Sequence, residues 1–277
     1  MKISVIIPSL ATSFLRYLIS SLRSQTIRPW EIILVVKADE KGLLGIEKLC
    51  GQSSLNCSVI EQRRGYVTTA LNMGKREARG DIVVFTDEDA IAPRKWTERY
   101  IKLHSIYKDV VGISSRDIYV DLDSLRLLPT PDDKVYVKLY RWIVRPWIER
   151  PHPLFRKYRL GVYITKNLDI AYGPCIPNKT CYSLPLRGVN MSFKNEYIRD
   201  VWFPEHPGLK RAPGNEQYFG IQLALKNLDC IYTPNNPVLH IHREESLSRT
   251  SKDKIMLEYK IMKILIRQLL NSPQLRH

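Results

Sequence analysis

The chain has no run of the roughly eighteen apolar residues that a bilayer-spanning helix needs, so no membrane span is expected. It has only five cysteines and no Cys-x-x-Cys pair, which argues against a zinc cage. Cys175 and Cys181 are close enough in sequence to pair in an oxidising setting, but reduced thiols in a cytosolic protein are the expectation. Acidic residues are scarce: 28 Asp and Glu face 43 Lys and Arg, for a net charge of +15. That imbalance favours polyanionic partners, namely phosphorylated ligands, nucleic acid or an anionic membrane surface. The basic residues are spread along the chain, without a helix-turn-helix, zinc-finger or ribonucleoprotein motif, so no specific nucleic acid is expected. Internal repeats and low-complexity tracts are absent too. The opening Met1–Pro8 mimics a short signal peptide but is interrupted by Pro8 and Arg16 and lacks a clean cleavage site, so it reads as a first strand.

What is present is a 277-residue chain with 44% hydrophobic residues, enough for a sizeable core. Strand patterns at Ile3–Ile7, Glu31–Val36, Cys57–Ile60, Ile82–Phe85 and Val110–Ser115 alternate with helix patterns at Phe14–Ser24, Val67–Ala78 and Trp96–Ile106. This order predicts an α/β fold with a Rossmann-like, mostly parallel central sheet flanked by helices. Later the sequence predicts helices over about Asn195–Val201 and Glu216–Leu228, and two short strands, Cys230–Thr233 and Val238–His242. Residues 1–245 read as one domain. Within it, residues 116–185 break the rhythm with prolines, aromatics and interleaved basic residues: Tyr136-Val137-Lys138-Leu139-Tyr140-Arg141-Trp142, then Arg145-Pro146-Trp147. Such a segment suits an acceptor-facing or membrane-facing insertion. An irregular cap whose aromatics pack on the domain would read the same. Residues 246–277 read as a basic amphipathic helix that lies on a membrane surface or docks on its own domain or on a partner.

The candidate site begins where the strand Ile82–Phe85 ends in Thr86-Asp87-Glu88-Asp89. Alternation along extended chain turns Asp87 and Asp89 to one side. Two convergent carboxylates make a hard oxygen site suited to Mg2+ or Mn2+, completed by water and phosphate oxygens. A polar loop capping a strand would look the same in isolation. The fold class puts ligands beyond the carboxyl ends of its strands, where Pro8-Ser9, Val36-Lys37 and Thr86–Asp89 all fall.

In order along about residues 3–242, the motifs resemble those of the family 2 glycosyltransferases. They are Val5-Ile6-Ile7-Pro8-Ser9, Ser21-Leu22-Arg23-Ser24-Gln25-Thr26, Ala70-Leu71-Asn72-Met73-Gly74, Ala78-Arg79-Gly80-Asp81 running into Phe85–Asp89, Arg187-Gly188-Val189-Asn190-Met191-Ser192-Phe193 and Gly214-Asn215-Glu216. The resemblance implies a GT-A fold and inverting transfer of a sugar, a hexose above all, from a nucleotide-sugar donor to a saccharide or lipid-linked acceptor. It implies Asp87 and Asp89 as the metal and donor motif, Glu216 as the catalytic base, Pro8 and Ser9 beside the nucleoside, and His240 or, preferred here, His242 as a further metal ligand. Two departures stand out. Val36-Lys37, with Asp39 two positions on, replaces the Asp-Asp that usually ends the second strand, leaving Lys37 and Asp39 as the nucleotide-side candidates. Asn215 replaces the first acidic residue of the catalytic pair, which permits a non-catalytic nucleotide-sugar or glycan-binding protein as the alternative. The implied location is cytoplasmic, with peripheral attachment to the inner face of the cell membrane as an open possibility.

Overall fold

The computed structural model describes residues 1–243 and 252–272. Its first half alternates strand and helix: β1 (Ile3–Ser9), α1 (Leu15–Arg23), β2 (Glu31–Val36), α2 (Glu40–Gln52), β3 (Cys57–Glu61), α3 (Val67–Glu77), β4 (Ile82–Phe85), β5 (Ala90–Ile91), α4 (Trp96–Ile106) and β6 (Val110–Asp121). The second half is less regular. It contains β7 (Arg126–Leu128), α5 (Val135–Leu139), α6 (Arg145–Ile148), β8 (Val162–Ile164), β9 (Ile170–Tyr172), β10 (Cys181–Tyr182), β11 (Met191–Lys194), α7 (Asn215–Leu225), β12 (Asp229–Ile241) and α8 (Lys252–Asn271).

The main sheet runs β10-β12-β6-β11-β4-β1-β2-β3. Strands β1, β2, β3 and β4 are mutually parallel, and β12 is parallel to β6. Because β11 is antiparallel to both β4 and β6, those two strands also share a direction. Their carboxyl ends therefore open on one edge, the place such sheets use for ligands.

Burial on both faces explains the near-continuous apolar strands. Val5 and Ile7 join the core under α1 and α4, while Ile6 joins the opposite core with Phe85, Phe193 and Phe219. A third core gathers β8, β9 and α7 around Phe155, Ile164 and Ile221. The tail helix α8 docks there through Met262, Ile266, Leu269 and Leu270. One side of the tail helix thus docks on its own domain, while Met256, Leu257, Tyr259 and Ile264 stay exposed; residues 244–251 and 273–277 lie outside the described residues.

Several expectations are revised. Helix α2 carries no prediction because Gly42, Gly45 and Gly51 dilute its helical signal. The helix expected near Asn195–Val201 is a single 3-10 turn, Asn195–Tyr197. The two short strands expected after α7 form one strand, β12, whose pairing with β6 shifts register between Thr233 and Val238. A disulfide joins Cys50 to Cys57, whereas Cys175 and Cys181 are free thiols. The unexpected α2 explains it: the helix ends beside the start of β3 and brings the two Cα atoms to 5.7 Å.

Candidate active site

Each strand ending at the open edge delivers a polar side chain. Past β4 the chain turns through Asp87, Glu88 and Asp89 before β5 pairs with the end of β12. Strand β6 carries Asp117 opposite Val238, and β12 carries His240 opposite Tyr119. Arg187 precedes β11, and Glu216 stands in the first turn of α7.

Asp87, Asp89 and His240 converge, with one ligand atom from each inside a 4.8 Å group. The imidazole is held at both ends: Nδ1 lies 3.3 Å from Asp117 Oδ2 and Nε2 lies 3.4 Å from Asp89 Oδ1. A carboxylate on one ring nitrogen leaves the other aimed at a cation, as around many metal-ligating histidines. The donor set of two carboxylates and an imidazole fits a divalent cation that also takes water and phosphate oxygens. Asp89 Oδ2 also accepts from Arg243, whose Nε stands at 2.8 Å.

The electrostatics follow from packing these charges together. Burial lifts the Asp87 carboxyl to about 6, and the Asp89 charge adds to the rise. Burial acts on Asp89 in the same sense, but the hydrogen bonds and charges of His240 and Arg243 outweigh it and hold that group low. Burial opposes the charged His240, yet its bonds to Asp117 and Asp89 carry it up to about 10. A metal ligand must be neutral imidazole, so cation binding here displaces a proton. Asp117 is itself ion-paired to Arg187, which also grips Asp132 at 2.6 Å. Asp132 holds Arg141 in turn. One ionic chain thus runs from the acidic group into the 116–185 segment.

Glu216 owes its position to Gly214, which caps α7 with φ +86°. That left-handed backbone favours glycine, and a Cβ there would also push aside the terminal methyl of Ile170, 2.5 Å away. Burial lifts the Glu216 carboxyl to about 7; backbone hydrogen bonding opposes this, the Asp87 charge adds to it and Arg187 offsets part. Such a carboxyl takes and gives protons near neutral pH.

The loop before Glu216 is pinned rather than free. Glu205 accepts from Asn72 Nδ2 at 2.7 Å and Thr69 Oγ1 at 3.1 Å. Leu209 and Ala212 are buried in the third core. Buried Glu258 of α8 accepts from the backbone N–H groups of Arg211 and Ala212 at 2.9 and 2.8 Å. Glu258→Ala is expected to destabilise the protein by about 3 kcal/mol, because two charge-assisted bonds go. Urea unfolding checks this, with a parallel drop in turnover as the Glu216 support loosens.

On the nucleotide side, Ser9 Oγ donates to Glu88 Oε2 at 2.7 Å, and Pro8 lies beside it at the end of β1. The Lys37 backbone N–H donates to Ser9 O at 2.9 Å, and its Nζ to Gly65 O at 2.7 Å. Pro8, Ser9 and Lys37 therefore meet at one edge. Asp39 instead caps α2, accepting from Gly42 N at 2.8 Å.

The histidine needs correction. Strand alternation puts His240 and His242 on one face: the His242 N–H still donates to Val120 O, and both rings lie against Tyr119. His242, however, is exposed and is not part of the Asp87–Asp89 group; His240 takes the position. The sequence reading also missed Asp117, Arg187 and Arg243 as site residues. Asp117 was legible in principle as an acid just past the strand pattern of Val110–Ser115, but its partners come from distant segments.

The profile described as Glycosyl transferase family 2 matches residues 4–167, more than half of the chain. The chain belongs to this family. As a family 2 glycosyltransferase, it is similar to the uncharacterized glycosyltransferase YfnE of Bacillus subtilis (strain 168), at 31% identity over 124 residues. That match takes in 43% of this chain and 31% of YfnE, so the chain spans less than a third of that relative. Its structure resembles S. aureus TarS 1-349 in complex with UDP-GlcNAc, with a TM-score of 0.62 and 18% identity over 99% of this chain and 68% of that one. It also resembles GalNAc-T7 with UDP, GalNAc and Mn2+, with a TM-score of 0.68 and 14% identity over 90% of this chain and 45% of that one. At such identities the likeness is one of fold, and the fold of this chain is GT-A.

Proposed function

We propose that this family 2 enzyme moves a sugar, with inversion, from a nucleotide-diphosphate donor to an acceptor hydroxyl on a saccharide or a lipid-linked glycan. One observation carries the reading: Asp87, Asp89 and His240 gather at the same sheet edge as Glu216, whose carboxyl is lifted to about 7. Asp87, Asp89 and His240 would hold Mn2+ or Mg2+, the mixed oxygen and nitrogen set favouring Mn2+. A bound cation neutralises the charge that gathers on the departing diphosphate.

The remaining work falls to protein groups. Pro8, Ser9 and Lys37 border the nucleoside end. Glu216 accepts the proton of the acceptor hydroxyl as its oxygen bonds to the anomeric carbon. The bond from that carbon to the diphosphate oxygen breaks, and its electron pair leaves with the nucleotide. General-base assistance of this kind contributes roughly 10²–10⁴ in rate.

The likeness to proteins solved with UDP-GlcNAc or with UDP and Mn2+ supports a uridine nucleotide as the first donor to try. The test is a panel of nucleotide sugars with Mn2+, followed by released nucleotide in the presence of saccharide and lipid-linked acceptors. Metal-dependent release with at least one donor is expected. Donor binding with no release from any pairing would favour a nucleotide-sugar-binding protein, the reading to which Lys37 and Asn215 lend support.

A further inference from the structure

The helical stretch from Val135 to Ile148 is turned inside out. Helix α5 passes through a π-helical turn, Tyr140–Val144, into α6. The widening sits just before Pro146, which has no N–H to donate and crowds the preceding turn. Its arginines face inward. Arg141 is buried, bonded to Asp132 and to Ile176 O at 3.3 Å. Arg145, one turn on, donates to Tyr172 O at 2.7 Å and pairs with Glu149 at 2.7 Å.

The apolar side chains face out. Trp142 is 70% exposed and Trp147 78%, and Tyr136, Ile143 and Ile148 are exposed beside them. A helix on a water-facing surface has the opposite arrangement, and a contiguous apolar strip of this kind marks a contact surface rather than scattered exposure. Within residues 116–185, Phe155, Tyr158 and Tyr163 pack on the domain as an irregular cap would have them do, whereas Tyr136, Trp142 and Trp147 of the helical stretch do not.

Charge identifies the occupant. Lys134 and Arg150, at the two ends of the strip, are exposed and have no carboxylate partner among the described residues. The whole chain carries +15. Tryptophan prefers the boundary between headgroups and acyl chains, and basic residues there attract anionic lipid. We propose that the Val135–Ile148 helix lies in the headgroup layer of an anionic bilayer, with Trp142 and Trp147 reaching the acyl boundary and Lys134 and Arg150 on lipid phosphates.

The tail helix α8 buries Met262, Ile266, Leu269 and Leu270 in the third core and leaves Met256, Leu257, Tyr259 and Ile264 exposed, with no tryptophan among them, so the test includes it as the competing anchor. A cavity of about 510 Å³ leads from Tyr136 and Tyr140 past Val137, Arg141 and Arg145 to Tyr172. Tyr172 feels the Glu216 charge, which adds to burial in raising its hydroxyl. Resting on the transferase reading above, this geometry brings an acceptor hydroxyl from the bilayer to the base.

Sedimentation of the full-length protein with vesicles tests the docking separately from catalysis. The protein should pellet with phosphatidylglycerol vesicles, stay in solution with phosphatidylcholine, and release in high salt. Trp142→Ala/Trp147→Ala should weaken binding at least about tenfold while circular dichroism and nucleotide release in solution stay unchanged. Lys134→Glu/Arg150→Glu should do the same without touching the apolar strip, so it serves if the first variant misfolds. Met256→Ser/Leu257→Ser on α8 should bind as the parent does. Undiminished binding by both helix variants would overturn the proposal. So would a concentration-dependent dimer, abolished by the tryptophan changes, in a protein that ignores vesicles. Vesicle binding without nucleotide release would leave the docking standing and remove the transferase reading.

Discussion

Replacing Asp89 by asparagine is expected to lower metal-dependent glycosyl transfer by on the order of 10³-fold, the scale on which loss of a group stabilising transition-state charge is felt. Asp89 is the hinge of the acidic group: Oδ1 faces His240 Nε2 at 3.4 Å, and Oδ2 receives Arg243. Asparagine keeps the shape but carries no charge for a cation, and its amide presents donors where Arg243 needs an acceptor. The effect should appear in two readouts. Mn2+ titration by calorimetry should weaken sharply, and residual turnover should become indifferent to chelator. Wild-type turnover by this variant, or undiminished wild-type turnover in excess chelator, would remove the cation from the site.

Glu216→Gln carries the second large effect, a loss of roughly 10²–10⁴ in turnover with donor affinity retained. Glutamine preserves the side-chain shape in the first turn of α7 but cannot take the proton. The pH profile gives an independent check. With the Glu216 carboxyl near 7 in the unliganded protein, kcat/KM should fall about tenfold per pH unit on the acid side, because only the deprotonated form is a base. A bound cation cancels part of the Asp87 charge that raises this group, so saturating Mn2+ should shift the limb to lower pH. The Gln variant should lack the limb. A variant that transfers at near wild-type rate, or keeps the same acid limb, would put the base elsewhere.

How far the site was legible differs residue by residue. Asp87 and Asp89 could be read directly, because strand periodicity and an abrupt acidic stop are local signals. Glu216 was read only through the order of motifs around it; alone, an acid in the first turn of a helix is ordinary electrostatic capping. His240 and His242 share a strand face, and nothing local announces which of them lies within reach of Asp87 and Asp89. Asp117, Arg187 and Arg243 gained roles only through partners 154 to 70 residues away in the chain, as in the Arg243–Asp89 and Arg187–Asp117 contacts. The helix Val135–Ile148 was marked as aromatic and basic, but which side faced water was open.

The sequence by itself determined the alternating α/β order, the strand faces and the acidic turn after β4, because these depend on periodicities of a few residues and on the chemistry of neighbours. Tertiary structure alone decided which histidine joins the acidic group, that α8 buries Met262, Ile266, Leu269 and Leu270 on the domain, and that Arg141 and Arg145 point inward while Trp142 and Trp147 point out. The physical reason is common to all three. Each outcome depends on which distant charge or core a side chain meets: Asp117 for His240, the third core for α8, Asp132 and the Tyr172 carbonyl for the arginines. Those partners are brought together by sheet order and crossover connections, which no local pattern encodes.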